Sequence, residues 1–172
     1  MASELQQHFE TFKRSAFRLE TLDSYDVERH NEDFRRFLTG EPLPLGRNEK
    51  WCEQIRTAVQ DGKTYERIHV LPAALTPYLR YEIEWGYVFN ADAGEQIALV
   101  PADALVNAES LADFWLFDDE TVLLMHYDET NKPAGVTNIR DEEEVAIYRG
   151  IRDQLRSQAT PLKEFLASLR KA

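Results

Sequence analysis

Four large apolar side chains stand in a row at Phe114-Trp115-Leu116-Phe117, with Asp113 before them and Asp118-Asp119 after them. Successive residues of a strand point to opposite faces, so a strand of this composition is buried on both faces and belongs near the centre of a sheet. Val122 to Tyr127 is a second strand candidate, and the acidic residues 118–120 between the two predict a hairpin. Upstream, Arg67 to Leu71 and Gln96 to Val100 have strand composition, and Thr76-Pro77 between them is a cap followed by a first-turn proline. The order strand, helix, strand, strand, strand predicts one α/β core with polar groups at the strand ends.

The flanking sequence adds helices. Ser3 caps a helix over about 4–14 that carries Leu5, Phe9 and Phe12 on one side. Phe17, Leu19 and Thr21 then alternate with Arg18, Glu20 and Leu22, which predicts a short half-buried strand. Asn31 to Leu38 is helical and ends at Gly40, and Asn48 starts a helix in which Trp51, Ile55 and Val59 stack before Gly62. Residues 130–135 form a loop. Asp141 caps a helix with Val145, Tyr148, Ile151 and Leu155 on one face, and Thr160-Pro161 begins a last helix whose apolar face makes it a candidate homodimer element. The expected architecture is a single α/β (α+β) domain over 1–172 with a mixed sheet of four to five strands and helices packed around it. It divides into a helical N-terminal part (1–62), a sheet-containing core (63–128) and C-terminal helices (139–171).

Charge and cysteine usage narrow the functional classes. The formal net charge of −11 repels phosphate backbones, so direct nucleic-acid binding is not expected; such a surface either simply keeps the protein in solution or suits a basic protein partner. Cys52 is the only cysteine, which excludes an intramolecular disulfide and a cysteine metal cluster. The amino terminus lacks an apolar signal segment and no stretch has the length of a membrane span, so a cytoplasmic location without membrane association is expected.

Candidate chemistry concentrates in a few places. His8, His30, His69 and His126 lack metal-ligand spacing, there is no glycine-rich phosphate loop and no GxSxG, and neither a metal nor a cofactor is expected. His69 and His126 lie in predicted strands, where they could face each other across the sheet as proton-transfer groups; the plainer alternative is a hydrogen-bonded strand histidine. In Thr76 to Glu82, Arg80 offers a planar fork for a small anionic ligand and Tyr78 and Tyr81 add flat surfaces, although Arg80 with Glu84 is also an ordinary helical ion pair. The expected ligand-binding set is Arg67, Tyr78, Arg80, Tyr81, Glu82, Asp113, Trp115 and Asp118. Glu82, Asp113, His69 and His126 are the alternative acid–base candidates for an enzyme acting on a small anionic substrate. Arg80 and Asp113 are expected to meet at one rim.

The phrases FETFKRSAFRLETLDSYDV, FRRFLTGEPLP, RIHV, LTPYLRYE, AGEQI and DFWLFDDETVLLMHYD resemble, in order, a family of actinobacterial proteins sharing a domain of unknown function. Its members are often encoded beside helix-turn-helix regulators, and the resemblance implies a regulatory or accessory module with such a protein as partner. The strand, helix, strand series ending in FWLFDDETVLLMHY is also similar to sensor-type relatives of the phospholipase D fold. Active members use an HxK signature, whereas here Leu71 follows two residues after His69 and Asp128 two after His126. That similarity implies a binding domain that kept the scaffold without the phosphodiesterase chemistry.

Overall fold

The computed structural model describes residues 3–25, 31–46 and 48–170; His30 lies outside them. The chain forms α1 (Glu4–Thr11), β1 (Ser15–Glu20), α2 (Asn31–Leu38), α3 (Glu49–Gln60), β2 (Thr64–Leu71), α4 (Pro77–Tyr81), α5 (Tyr87–Ala93) and β3 (Gln96–Pro101). There follow β4 (Phe114–Phe117), β5 (Thr121–Tyr127), β6 (Pro133–Ile139), α6 (Glu142–Gln158), β7 (Thr160–Pro161) and α7 (Leu162–Leu169). A π-helical turn, Glu82–Gly86, joins α4 to α5.

The α+β class is as expected, but among the described residues the sheet has seven strands, in the order β6-β5-β4-β1-β2-β3-β7. The strand missing from the sequence reading is chiefly β6, which begins at Pro133 inside the expected loop. It is an exposed edge strand containing Pro133 and Gly135, so it carries neither the alternation nor the apolar run that marks a paired strand. The sheet is also not confined to 63–128, because β1 lies at its centre. β1, β2 and β3 are parallel, and β4 runs antiparallel to β1.

Strand parity sorts the side chains into two layers. Ala16, Tyr65, Trp115, Phe117 and Leu123 pack under α3 through Cys52, Ile55 and Ala58. On the other face Phe17, Leu19, Ile68, Val70, Phe114 and Leu116 pack under α6 through Val145 and Leu155. The apolar side of α7, including Leu162, Phe165 and Leu169, covers Leu71, Ile97 and Leu99 within the same chain, so it is not the free face expected of a dimer element.

Local signals explain most boundaries. Ser3, Thr76 and Asp141 each accept a backbone N–H from the first turn of the following helix, as their positions predict. Asn48 instead adopts φ 51° and makes no side-chain cap bond. α1 stops at Thr11 rather than 14 because the amides of Lys13, Arg14 and Ser15 turn to the carboxylate of Asp118, at 2.8, 2.6 and 3.0 Å. The β4–β5 hairpin is present, and its Asp118 and Asp119 have φ of 56° and 63°, the left-handed pair of a type I′ turn.

Candidate functional site

The expected half-buried character of β1 fails at Arg18 and Glu20, which are buried along with Phe17 and Leu19. Both charged side chains point to the α3 side of the sheet. β2 repeats the arrangement with Arg67 and His69, in register with Arg18 and Glu20. Because β4 is antiparallel to β1, with Phe114 opposite Leu19, Asp113 arrives at the same end of the sheet. Tyr127 reaches it from the end of β5, Tyr87 from α5, and Glu95 from the turn into β3. Gly94 makes that turn with φ +113°, and a Cβ there would meet Val59 Cγ2 at 3.0 Å, so glycine is needed both for the backbone and for the approach to α3.

These groups form one buried ionic network. Arg18 donates to Asp113 at 2.8 Å and to Tyr127 Oη at 2.8 Å, and its Nε lies 3.4 Å from Glu20. Arg67 donates to Glu20 at 2.6 Å and to Glu95 at 2.8 Å. The hydroxyl of Tyr87 donates to Glu20 at 2.6 Å and lies 2.6 Å from His69 Nδ1, while His69 Nε2 lies 3.0 Å from the Leu22 carbonyl. Asp113 also accepts from Thr21 N at 2.8 Å, from Thr21 Oγ1 at 2.7 Å and from the Tyr25 hydroxyl at 2.6 Å.

Removing ions from water costs several kcal/mol each unless partners replace the solvent, and here each guanidinium is shared between two carboxylates. The proton equilibria follow. Burial works to raise the Glu20 carboxyl, but Arg67 and Arg18 outweigh it and hold Glu20 far below the usual carboxylate range. Burial pushes Glu95 up, and Arg67 offsets only part of that. Burial also lowers the His69 imidazole, and Glu20 nearby offsets only part of that.

A cavity of about 270 Å³ opens over this network and is lined by Arg18, Glu20 and Arg67 together with the rings of Tyr25, Trp51, Tyr78, Trp115 and Tyr127. Its position, at the carboxyl ends of the parallel strands β1 and β2, is where open α/β sheets present ligand sites. Three larger depressions, of about 430, 420 and 300 Å³, contain no buried charged side chain among the described residues. The Nη1 group of Arg18 is buried and has no hydrogen-bond partner among the described residues.

Of the residues singled out from sequence, Arg67, Tyr78, Glu82 and Trp115 line the cavity. Asp113 stands behind it as the anchor of Arg18. Arg80 and Asp113 do not meet: Arg80 is exposed and pairs with Glu84 at 2.9 Å, and the guanidinium beside Asp113 is Arg18. Tyr81 is buried among Phe34, Phe37 and Trp85. Asp118 lies at the opposite end of β1, bonded to the amides of residues 13–15. His126 cannot face His69, because β1 and β4 separate their strands and the parity of β5 puts Tyr127, not His126, on the network side. His126 is exposed and lies 2.7 Å from Thr137 Oγ1.

Arg18, Glu20, Tyr25, Tyr87, Glu95 and Tyr127 were not found from sequence. The available signal was the matched spacing of Arg18-x-Glu20 and Arg67-x-His69, which puts four polar groups on one face of two strands. Among the described residues no three His, Cys, Asp or Glu side chains are grouped to hold a metal ion, and no helix is long and apolar enough to cross a membrane.

Fifteen chains of solved structures match this one. One is the crystal structure of a phospholipase D family member, Nuc from Salmonella typhimurium, with a TM-score of 0.53 and 8% identity over 90% of this chain and 86% of that one. The likeness is one of fold: this chain has a phospholipase D-like scaffold. No curated protein matches. The family model described as Domain of unknown function (DUF6879) matches residues 3–167, and the chain belongs to that family.

Proposed function

We propose that this domain is a cytoplasmic binding module that takes a small, flat, uncharged ligand into the aromatic cavity over the buried ionic network. The observation that carries the reading is the internal neutralisation of both guanidinium groups lining the cavity: Arg18 by Asp113 and Glu20, Arg67 by Glu20 and Glu95. An anionic ligand would have to displace a carboxylate already seated at 2.6 to 2.8 Å, whereas a neutral ring needs only the aromatic walls.

The acid–base alternative on a phospholipase D-like scaffold would draw on His69, Glu82 and Asp113. Both nitrogens of His69 are already engaged, by Tyr87 and by the Leu22 carbonyl, and Leu71 occupies the position of the signature lysine. Those features favour binding over turnover. A regulator protein of the helix-turn-helix class remains the proposed receiver of the signal.

Trp51 and Trp115 line the cavity, so occupancy should change intrinsic fluorescence. Titration with benzamide and indole as neutral probes, and benzoate and inorganic phosphate as anions, should give saturable changes with the neutral members only. Trp51→Leu should weaken the saturable response that Trp115 still reports, because it removes one aromatic wall of the cavity. Saturation by benzoate or phosphate, with none by the neutral probes, would overturn the reading.

A further inference from the structure

On the face of the sheet opposite the aromatic cavity lies a second concavity, of about 420 Å³, between α6 and the segment before β4. Phe114 contributes to its lining, while the next residue, Trp115, lines the aromatic cavity on the other face. Two of its residues are large apolar side chains left in solvent: Val106 is 81% exposed and Ile147 is 63% exposed. Leu111, Tyr148 and Ile151 continue the apolar surface inward to the core, and Tyr148 meets Phe114 edge-on at 4.9 Å.

The walls are held in place by local bonds. Ser110 Oγ donates to the Asn107 carbonyl at 2.8 Å, and Leu111 N donates to the Ala108 carbonyl at 3.1 Å. Asp141 caps α6 by accepting from the amides of Glu143 and Glu144, each at 3.1 Å. Both sides therefore present a groove formed in advance, and a binding partner need not order it.

The charge around this groove has one sign. Among the described residues Glu144 is the charged residue in its lining, and no Lys or Arg lines it. Glu143 precedes Ile147 by four residues and Glu144 precedes it by three, so both carboxylates share the helix face of Ile147. Glu109, between the lining residues Asn107 and Ser110, is exposed. The whole chain adds a formal charge of −11. An apolar trough with an acidic rim complements an amphipathic helix whose apolar stripe is flanked by lysine or arginine. We infer that this groove docks a basic amphipathic helix of a partner protein, with Val106 and Ile147 gripping its apolar stripe and Glu143 and Glu144 meeting its cations. Being on the other face of the sheet from the aromatic cavity, it stands independently of the ligand reading.

The test uses the full chain and two fluorescein-labelled peptides of about 15 residues that share leucines at i, i+3, i+4 and i+7. One carries lysine at the remaining positions and the other glutamate. Anisotropy at physiological salt should show saturable binding of the lysine peptide, with the glutamate peptide weaker by about tenfold or more. Ile147→Glu should weaken the lysine peptide by at least about tenfold, and because Ile147 is exposed the variant should melt like the parent. Glu143→Gln with Glu144→Gln should weaken it about threefold and flatten its salt dependence. Equal binding of both peptides, no binding of either, or an Ile147→Glu variant that binds undiminished would each overturn the inference. So would a dimer by light scattering that Ile147→Glu dissociates, which would give the groove to a second copy.

Discussion

The two ends of β1 use the same side-chain types to opposite effect. At its carboxyl end, Arg18, Glu20, Arg67 and Asp113 are buried and bonded into one network. At its amino end, Arg14 reaches Glu120 at 2.7 Å with both side chains largely in water, and Asp118 does its work by holding backbone amides. An ion pair in water is nearly neutral for stability, whereas a buried one is strongly destabilising to break because the survivor is left charged in the interior. The carboxyl end is therefore committed to its polar groups, and the amino end should lose less when its own are removed.

Asp113→Ala tests this contrast at its strongest point. It leaves Arg18 without its closest carboxylate and removes the acceptor of Thr21, Tyr25 and Tyr127, so a loss of about 3–5 kcal/mol is expected in urea unfolding. Replacing the pair together, as Arg18→Met with Asp113→Leu, should recover much of that loss. A single-variant loss below about 1 kcal/mol would put the network in the same class as a surface pair.

Next in size is a comparison inside the network. Glu20→Gln removes the carboxylate shared by both guanidinium groups and should cost about 3 kcal/mol, whereas Glu95→Gln should cost less than about 1 kcal/mol because a Gln oxygen can still accept from Arg67 Nε. Their pH dependences have opposite signs. The folded-state pKa of Glu20 is depressed, so its contribution is full above the unfolded value near 4.5 and declines as pH falls below it. That of Glu95 is raised, so its contribution is full below 4.5 and is lost as pH rises through the folded value. Urea midpoints measured from pH 3 to 7 should show a flatter acid limb for Glu20→Gln than for the parent. An unchanged limb would remove Glu20 from the centre of the network.

The amino end supplies the intermediate case. Burial tends to raise Asp118, but the amides of Ser15, Lys13 and Arg14 overcome it and hold the carboxyl below its ordinary 3.8. Its contribution is complete above that value and disappears as pH falls through the lower folded one. Asp118→Ala should cost about 2 kcal/mol, since three backbone donors lose a charged acceptor at a partly solvated site where water can replace it. Faster amide exchange confined to residues 13–15 would locate the effect, and a loss as large as that of Asp113→Ala would erase the difference between the two ends.

How far the sequence revealed this arrangement depends on whether a side chain's partners are near it in the chain. The caps at Ser3, Thr76 and Asp141, and the doubly buried strand Phe114 to Phe117, depend on neighbours within a few residues and were legible. Arg18 and Glu20 were not, because charge alternating with Phe17 and Leu19 has the same pattern as a solvent-facing strand edge. What buries them is tertiary: Asp113 lies 95 residues from Arg18, and Tyr127 lies 109 residues away. Arg80 was misread for the converse reason. Its neighbours Tyr78 and Glu82 do line the cavity, but the helical turn carries Arg80 away from both.

Arg80 supplies the smallest effect and the sharpest control. Its side chain is 55% exposed and its partner Glu84 is one helical turn away, the geometry of pairs that stabilise a helix by about 0.2–0.5 kcal/mol. Arg80→Ala should therefore shift the urea midpoint barely beyond error and leave the tryptophan response to neutral aromatic probes unchanged. Arg18→Lys is its counterpart. It keeps the charge but removes the planar fork that serves Asp113 and Tyr127 together, so probe affinity should fall even where the folded state survives. If Arg80→Ala weakened probe binding as much as Arg18→Lys, recognition would extend beyond the buried network to the outer face of α4, and burial would no longer separate the arginines that bind from those that only decorate the surface.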